Sequence, residues 1–370
     1  MNDSHAADGA RAADRPFIAI WEVTRACDLA CVHCRASAQA LRSPLELDTT
    51  AGEKLIDEIR TLQVPVFVLT GGDPLKRPDI FHLIEYCVAG GVRVSLSPSA
   101  TPLLTRDVVA RLAASGLARL ALSIDGASAG IHDQFRGVPG SYARTLAAVR
   151  WIHEAGLPLQ INSTMSRWNY DDWDALTALV EALDPVLWSV FFLVPTGRAR
   201  RRDLLSADEI ETVFGRLYDF SRRVAFDVKT TEGMHYRRYV VQRRLRDRQA
   251  GLPVPATPPW LGAGARERAP RAINDGKGFV FISHTGEVFP SGFLPVPAGN
   301  IRRRPLGEIY SDSPVFRALR DAANLKGKCG DCEFRQICGG SRARAFALEG
   351  DMFAADPSCA YIPQRATVFA

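Results

Sequence analysis

With 370 residues, 46% apolar and 24% charged, the chain is globular, which excludes a disordered protein; its length asks for two cores or for an α/β barrel with an appendage. No apolar run is long enough to cross a bilayer, and the opening MNDSHAADGARAADRP lacks the apolar heart of a signal peptide, so residues 1–15 read as a disordered polar tail and the expected compartment is cytoplasmic. The net charge of +5 is mild, but arginines crowd residues 198–248, where they form either a solvated helical face or a surface for an acidic partner.

From residue 16 to 205, strand and helix patterns alternate. FIAIWEV, VFVLTGG, VRVSLSP, ARLALSID, LPLQINSTM and LWSVFFLV are short runs rich in β-branched or aromatic residues, and they read as six strands. Amphipathic helices fill the intervals. The first sets Leu55, Ile56, Ile59 and Leu62 at helical spacing behind a Thr50–Glu53 capping box. PDIFHLIEYCVAGG opens on proline and closes on glycine, and the next two helices end on Gly116 and Gly156. Strand–helix units in series predict a parallel sheet, here an α/β fold curled into a partial (β/α)6 TIM-like barrel. Ligands of such sheets bind beyond the carboxyl ends of the strands. The unusual residues collect there: a three-cysteine loop, GGDP, SPSAT, SIDG, NSTM and LVPTG follow or end the strands in turn.

Beyond residue 205 the alternation fails. Residues 206–270 read as a helical basic segment and a Pro/Gly-rich linker, and residues 271–370 as a small α+β cysteine-rich domain with a hairpin at HTGE.

Of the eight cysteines, Cys87 alone is isolated, on the inner face of a helix, and reads as a buried structural thiol. The others form two groups, which in a cytosolic chain point to metal before disulfide. Cys27, Cys31 and Cys34 make a Cys-x3-Cys-x2-Cys loop. Three ligands leave a metal centre open, as catalytic sites are. Thiolate ligation suits zinc or iron–sulfur clusters, and a four-iron cluster held by three cysteines keeps one iron for an exogenous ligand. A zinc site completed by His33 or by a distant residue is the alternative. Cys329, Cys332, Cys338 and Cys359 supply four thiolates, enough to close a cluster completely or to make a zinc knuckle.

The Cys27–Cys31–Cys34 loop, with aromatic His33 before its last cysteine, resembles that of the radical S-adenosylmethionine (SAM) superfamily. The resemblance implies a [4Fe-4S] cluster whose open iron binds SAM, reductive cleavage to a 5′-deoxyadenosyl radical, and hydrogen abstraction from a substrate. A low-potential electron donor such as ferredoxin or flavodoxin would feed it. The three cysteines would then be catalytic as well as metal-binding, with His33 beside the cofactor. Gly71, Gly72 and Asp73 are similar to the family's turn at the methionine amine. Ser123, Asp125 and Arg136 look like the stretch that holds the methionine carboxylate, which suits a guanidinium. Asn162, Thr164 and Val194 match positions near ribose or adenine.

The C-terminal cysteines resemble a SPASM or twitch domain. Ser291 and Ser341 stand where many relatives have cysteine, so one auxiliary [4Fe-4S] cluster is expected. The PSAT turn and the CGGSRARA…DPSC tail resemble the haem d1 and alternative haem biosynthesis branch. That implies a tetrapyrrole substrate whose propionates meet the arginine-rich stretch. The same arrangement serves maturases of ribosomally made peptides, with a peptide as partner. A non-enzymatic zinc-binding protein is the reading of another class. The basic stretch lacks the interleaved aromatics of a nucleic-acid platform, so neither nucleic acid nor membrane is an expected partner. His284, Tyr236, His235 and Trp260 are further candidates for the walls of a substrate cavity.

Overall fold

The computed structural model describes residues 15–253 and 273–364. Trp260, the linker around it and nearly all of the N-terminal tail lie outside the described residues. The six expected strands are β1 (Ile18–Glu22), β2 (Val66–Thr70), β3 (Val94–Leu96), β4 (Arg119–Ser123), β5 (Leu159–Met165) and β6 (Leu187–Phe192). They lie side by side in chain order, all parallel. Between them run α1 (Thr49–Thr61), α2 (Ile80–Ala89), α3 (Arg106–Ala114), α4 (Ala129–Arg136), α5 (Ser141–Glu154) and α6 (Trp173–Ala182). The expected Thr50–Glu53 capping box does not form. Asp48 caps α1 instead, accepting from the Ala51 N–H at 2.8 Å, which puts Thr50 inside the helix and leaves Glu53 to pair with His82 at 2.6 Å.

The segment after residue 205 is not wholly helical. α7 (Ala207–Ser221) and α8 (Tyr236–Gln249) flank a seventh strand, β7 (Asp227–Thr231), which extends the sheet beyond β6 in parallel. Its sequence DVKTT holds β-branched Val228, Thr230 and Thr231 but a single buried apolar residue, so it lacks the apolar run by which the other strands are read. At the other edge β8 (Phe279–Ile282) pairs parallel to β1, then turns through HTGE into antiparallel β9 (Glu287–Phe289), followed by β10 (Gly299–Asn300). Eight parallel strands therefore form an arc from β8 to β7. The chain continues through α9 (Leu306–Asp312), α10 (Pro314–Arg320), the single turn α11 (Gly327–Gly330) and α12 (Arg342–Glu349). No helix among the described residues is long and apolar enough to cross a membrane.

Period-two alternation divides the two faces of the arc. Trp21, Phe67, Leu69, Leu120, Leu122, Ile161 and Trp188 are buried in the core under the helices. The residues between them on the inner face, among them Ile20, Val68, Arg119, Asn162 and Lys229, are only half-buried. A closed barrel fills this space with packed side chains; here the inner face stays accessible.

α12 ties the cysteine-rich segment to the rim. Arg344 is fully buried, pairs with Asp356 at 3.2 Å, and donates to the carbonyls of Phe192 (3.2 Å) and Glu232 (2.7 Å), at the ends of β6 and β7. Much of the arginine-rich stretch is likewise used internally. Arg222 and Arg243 share Asp247 at 2.9 and 3.1 Å, Arg238 pairs with Glu211, and Arg237 donates to the Ile337 carbonyl at 3.1 Å.

Candidate active site and auxiliary cysteine pocket

The loop after β1 carries Cys27 and Cys31 into a small apolar cluster with Leu29, against Cys34, Ala38 and Val138. Burial pushes the thiols of Cys27 and Cys31 up; Ser99 opposes this at Cys27 and Arg136 at Cys31. The loop is clamped by the turn after β2. The Gly72 N–H donates to Thr24 O at 2.8 Å and the Asp73 N–H to Ala26 O at 2.7 Å. The approach needs glycine: a Cβ on Gly72 would lie 2.5 Å from Ala26 O, and one on Gly71 2.5 Å from Thr24 O. Asp73 turns its carboxylate away from the cleft. It accepts from Thr101 Oγ1 at 2.7 Å and from the N–H groups of Leu75 and Ser99, and burial holds its pKa up at about 6. It therefore joins the second and third strand-end turns.

Beside the cysteines opens a cleft of about 540 Å³, counting its mouth, lined by Gly71, Gly72, Ser99, Ser123, His132 and Arg136 among others. Arg136, at the end of α4, pairs with fully buried Asp125 and reaches Cys31 Sγ at 3.8 Å. Asp125 in turn accepts from the Thr164 N–H at 2.7 Å. Burial opposes the charges of this pair, but Asp125 holds the proton on the Arg136 guanidinium. The neutral His132, lowered to about 3 by burial and then by Arg136, accepts the Asp125 N–H on Nδ1 at 3.2 Å. His33 stacks on Phe135 with centroids 4.1 Å apart.

Among the described residues, four buried atoms around this loop have no hydrogen-bond partner: Arg136 Nε, Arg198 Nε and Nη2, and His33 Nδ1. Arg198 follows β6, and its N–H donates to Cys34 O at 3.0 Å. Unpaired buried guanidinium donors are costly unless an anionic group meets them. Three thiolates in the same loop fit an iron–sulfur cluster with an anionic chelating ligand.

The remaining candidates are placed differently. Asn162 and Thr164 are half-buried on β5, where Asn162 Oδ1 accepts from Gln160 at 2.7 Å; neither is among the residues that line the cleft. Val194 is buried against Leu294 and Ala343, with its carbonyl taken by the Thr196 N–H at 2.8 Å. Tyr236 is a core residue packed on Phe214. His284 bonds Glu22 at 3.0 Å. Glu22 also pairs with Arg35 and Arg25 at 3.1 and 3.2 Å, and these cations outweigh its burial and hold its carboxyl at about 2. Glu22, Arg35 and Arg198 belong to no motif that the sequence displays. The available signal was their position, since all three flank the cysteine loop or a strand end.

The four C-terminal cysteines line one pocket, together with His235, Arg238, Gly340 and Tyr361. The Asp356 and Gly340 N–H groups point at Cys329 and Cys338 sulfurs, at 3.4 and 3.3 Å. Buried Arg342 reaches Cys329 Sγ at 3.8 Å. Burial pushes Cys338 up to about 12 and His235 down to about 3. N–H donors aimed at converging thiols are the surroundings of a cluster. Ser341, expected where relatives carry cysteine, hydrogen-bonds Glu232 through its hydroxyl and Asp356 through its N–H.

A rim of three thiols beside a cleft, with a second set of four, defines a radical SAM enzyme, and the chain belongs to that superfamily. Residues 21–180 match the Radical SAM superfamily and residues 274–333 an iron–sulfur cluster-binding domain, SPASM. Its cofactors are a SAM-binding [4Fe-4S] cluster, an auxiliary iron–sulfur cluster and SAM. Within the superfamily it is similar to the AdoMet-dependent heme synthase of Methanosarcina barkeri, 40% identical over 350 residues that cover 95% of this chain and 98% of the relative. The AdoMet-dependent heme synthase of Nitratidesulfovibrio vulgaris is 41% identical over 349 residues, covering 94% and 93%. Among solved structures, Streptococcus suis SuiB bound to S-adenosylmethionine superposes with a TM-score of 0.72 at 16% identity, over 94% of this chain and 78% of SuiB. At that identity the likeness extends to the fold.

Proposed function

We propose that this enzyme acts in haem-type tetrapyrrole synthesis, abstracting hydrogen from a tetrapyrrole with the help of SAM. Cys27, Cys31 and Cys34 are assigned to the SAM-binding cluster in a core spanning residues 16–205. Cys329, Cys332, Cys338 and Cys359 are assigned to the auxiliary cluster in residues 271–370. A cytoplasmic low-potential donor, ferredoxin or flavodoxin, fits the chemistry. The observation that carries the reading is the convergence of three thiols with buried, unpartnered guanidinium nitrogens of Arg136, which also lines the cleft, and of Arg198. The two heme synthases, alike over nearly the whole chain, support the substrate class.

When bound, the reduced cluster and SAM supply homolytic removal of hydrogen. The chain's own residues prepare that chemistry. Gly71 and Gly72 let the second turn press on the cysteine loop. Asp125 fixes Arg136 beside Cys31 and the cleft, where a guanidinium suits a carboxylate. Leu29, Ala38 and Val138 keep water from the sulfurs. Arg342 sets a buried positive charge against Cys329.

The test is anaerobic reconstitution with iron and sulfide, then SAM and dithionite, with and without a tetrapyrrole acid. Release of 5′-deoxyadenosine, and a tetrapyrrole product in the mass spectrum, are expected. A variant lacking Cys329, Cys332, Cys338 and Cys359 is expected to cleave SAM and make no product. Absence of 5′-deoxyadenosine from the wild type overturns the proposal. Turnover of a ribosomal peptide in place of the tetrapyrrole puts the maturase reading in its stead.

A further inference from the structure

The inner face of the arc has two unlike walls. Ile20 on β1 is in register with Val68 on β2, and these half-buried residues form one rung of an apolar wall; the rung's β8 member, Phe281, is buried with the Arg35 guanidinium 4.5 Å from its ring. The same rung continues through Ser95 on β3 to Arg119 on β4. On the other side Ser123, Asn162, Ser189 and Lys229 are in register across β4 to β7. Ser123 lines the cleft, so Lys229 stands on the cleft's own rung of the sheet, on the edge strand of the arc.

Of the two cations of this wall, Lys229 lacks a counter-charge among the described residues. Lys229 is half-buried, and its ammonium has no hydrogen bond or ion pair with any described residue. Arg119 donates to Gln160 at 3.3 Å, while its Nε is buried without a partner. Two carboxylates share this face. Glu22 is engaged by Arg35, Arg25 and His284. Asp227, at the foot of β7, acts on Arg119. Burial and then Arg119 bring the Lys229 ammonium down to about 8, so it is charged at neutral pH yet strained by a like charge. Such a pair is stabilised when an anion enters.

We propose that Lys229, with Arg119 deeper on the same wall, binds carboxylate side chains of the substrate, while the β1–β2 wall of Ile20 and Val68 receives the apolar face of its macrocycle. This inference rests on the tetrapyrrole reading and says which residues serve it. The basic helical stretch, in which Arg222, Arg237, Arg238 and Arg243 are spent on internal partners, leaves that role to the strands. An apolar wall facing a cationic one suits a flat apolar ring with acidic arms better than an extended peptide backbone, which asks for hydrogen-bonding edges.

The test titrates the reconstituted holoenzyme with haem, and with the same macrocycle after its carboxylates are esterified, following the Soret band. Wild type is expected to favour the acid over the ester. Lys229→Gln is expected to weaken haem binding about tenfold or more, as for a lost charge-assisted bond, and to bind the ester as wild type does. Arg119→Gln shifts in the same direction, and Lys229→Arg restores discrimination. Iron content and thermal midpoint check the fold. A misfolding variant would lose both ligands, whereas loss of an unpaired cation should not lower the midpoint. Equal acid-to-ester preference in wild type and Lys229→Gln overturns the subsite and leaves the tetrapyrrole reading standing. Binding of neither form by wild type overturns that reading, and the subsite with it.

Discussion

Replacing Arg344 by methionine removes the buried cation that joins the cysteine-rich segment to the barrel rim. The loss comprises the pair with Asp356 at 3.2 Å and the bonds to Phe192 O and Glu232 O at 3.2 and 2.7 Å. Hydrogen bonds to charged groups contribute about 1.5–3 kcal/mol each, so a simple sum over the three would be about 4.5–9 kcal/mol. Two features reduce it. Methionine refills part of the volume, and Asp356 keeps the N–H groups of Ser341 and Ser358 at 2.9 and 3.0 Å. The expected cost is about 3–5 kcal/mol, as for breaking other buried pairs from one side. Urea unfolding of the anaerobic holoprotein, followed by circular dichroism, reads it as a lower midpoint at unchanged slope. Part of the cost is the stranded carboxylate, so Arg344→Met with Asp356→Asn is expected to recover roughly 1–2 kcal/mol. A single variant within about 1 kcal/mol of wild type, or a double variant no better than the single, would refute the claim that this pair carries the attachment.

Three further outcomes follow from the geometry. Gly72→Ala puts a Cβ 2.5 Å from Ala26 O and 2.6 Å from Arg25 O; it is expected to displace the cysteine loop and cut iron and sulfide by about half, one of two four-iron clusters, and full loading would contradict this. Glu22 has its carboxyl held at about 2 against an ordinary 4.5, and a depressed carboxylate stabilises the fold above its unfolded pKa. Glu22→Gln should therefore cost about 3 kcal/mol at pH 7, with the deficit shrinking as pH falls from 4.5 toward 2 in urea unfolding across pH; a deficit independent of pH would count against it. Arg342 reaches Cys329 Sγ at 3.8 Å and otherwise bonds carbonyls, among them Met352 O and Ala354 O at 2.9 and 2.8 Å. Its replacement by glutamine is expected to make the auxiliary cluster harder to reduce in an EPR-monitored titration, and its replacement by lysine to do so less, because positive charge and N–H···S bonds raise cluster potentials; an unmoved potential would show the charge is screened.

Local sequence determined the elements that repeat one rule along the chain. The six strands and the helices between them follow from β-branched runs, helical periodicity and glycine stops. The three-cysteine loop and GGDP announce their chemistry because close spacing makes them act as one unit. The four C-terminal cysteines were legible as a set for the same reason, although Cys359 lies 21 residues beyond Cys338. Tertiary structure decided what depends on partners distant in sequence. β7, whose DVKTT has β-branched residues but no apolar run, is fixed by its pairing along the edge of β6. Asp73 and Asp125 are the same residue type in similar strand-end turns, yet one clamps Thr101 and the other holds Arg136. Arg222, Arg237, Arg238 and Arg243 are consumed by Asp247, Glu211 and a carbonyl, while Lys229, set among them on the inner face, has no partner among the described residues. Propensity and spacing act between neighbours in the chain, but a charge's role is set by which opposite charge the fold brings within a few ångströms, and that pairing is written in no local stretch.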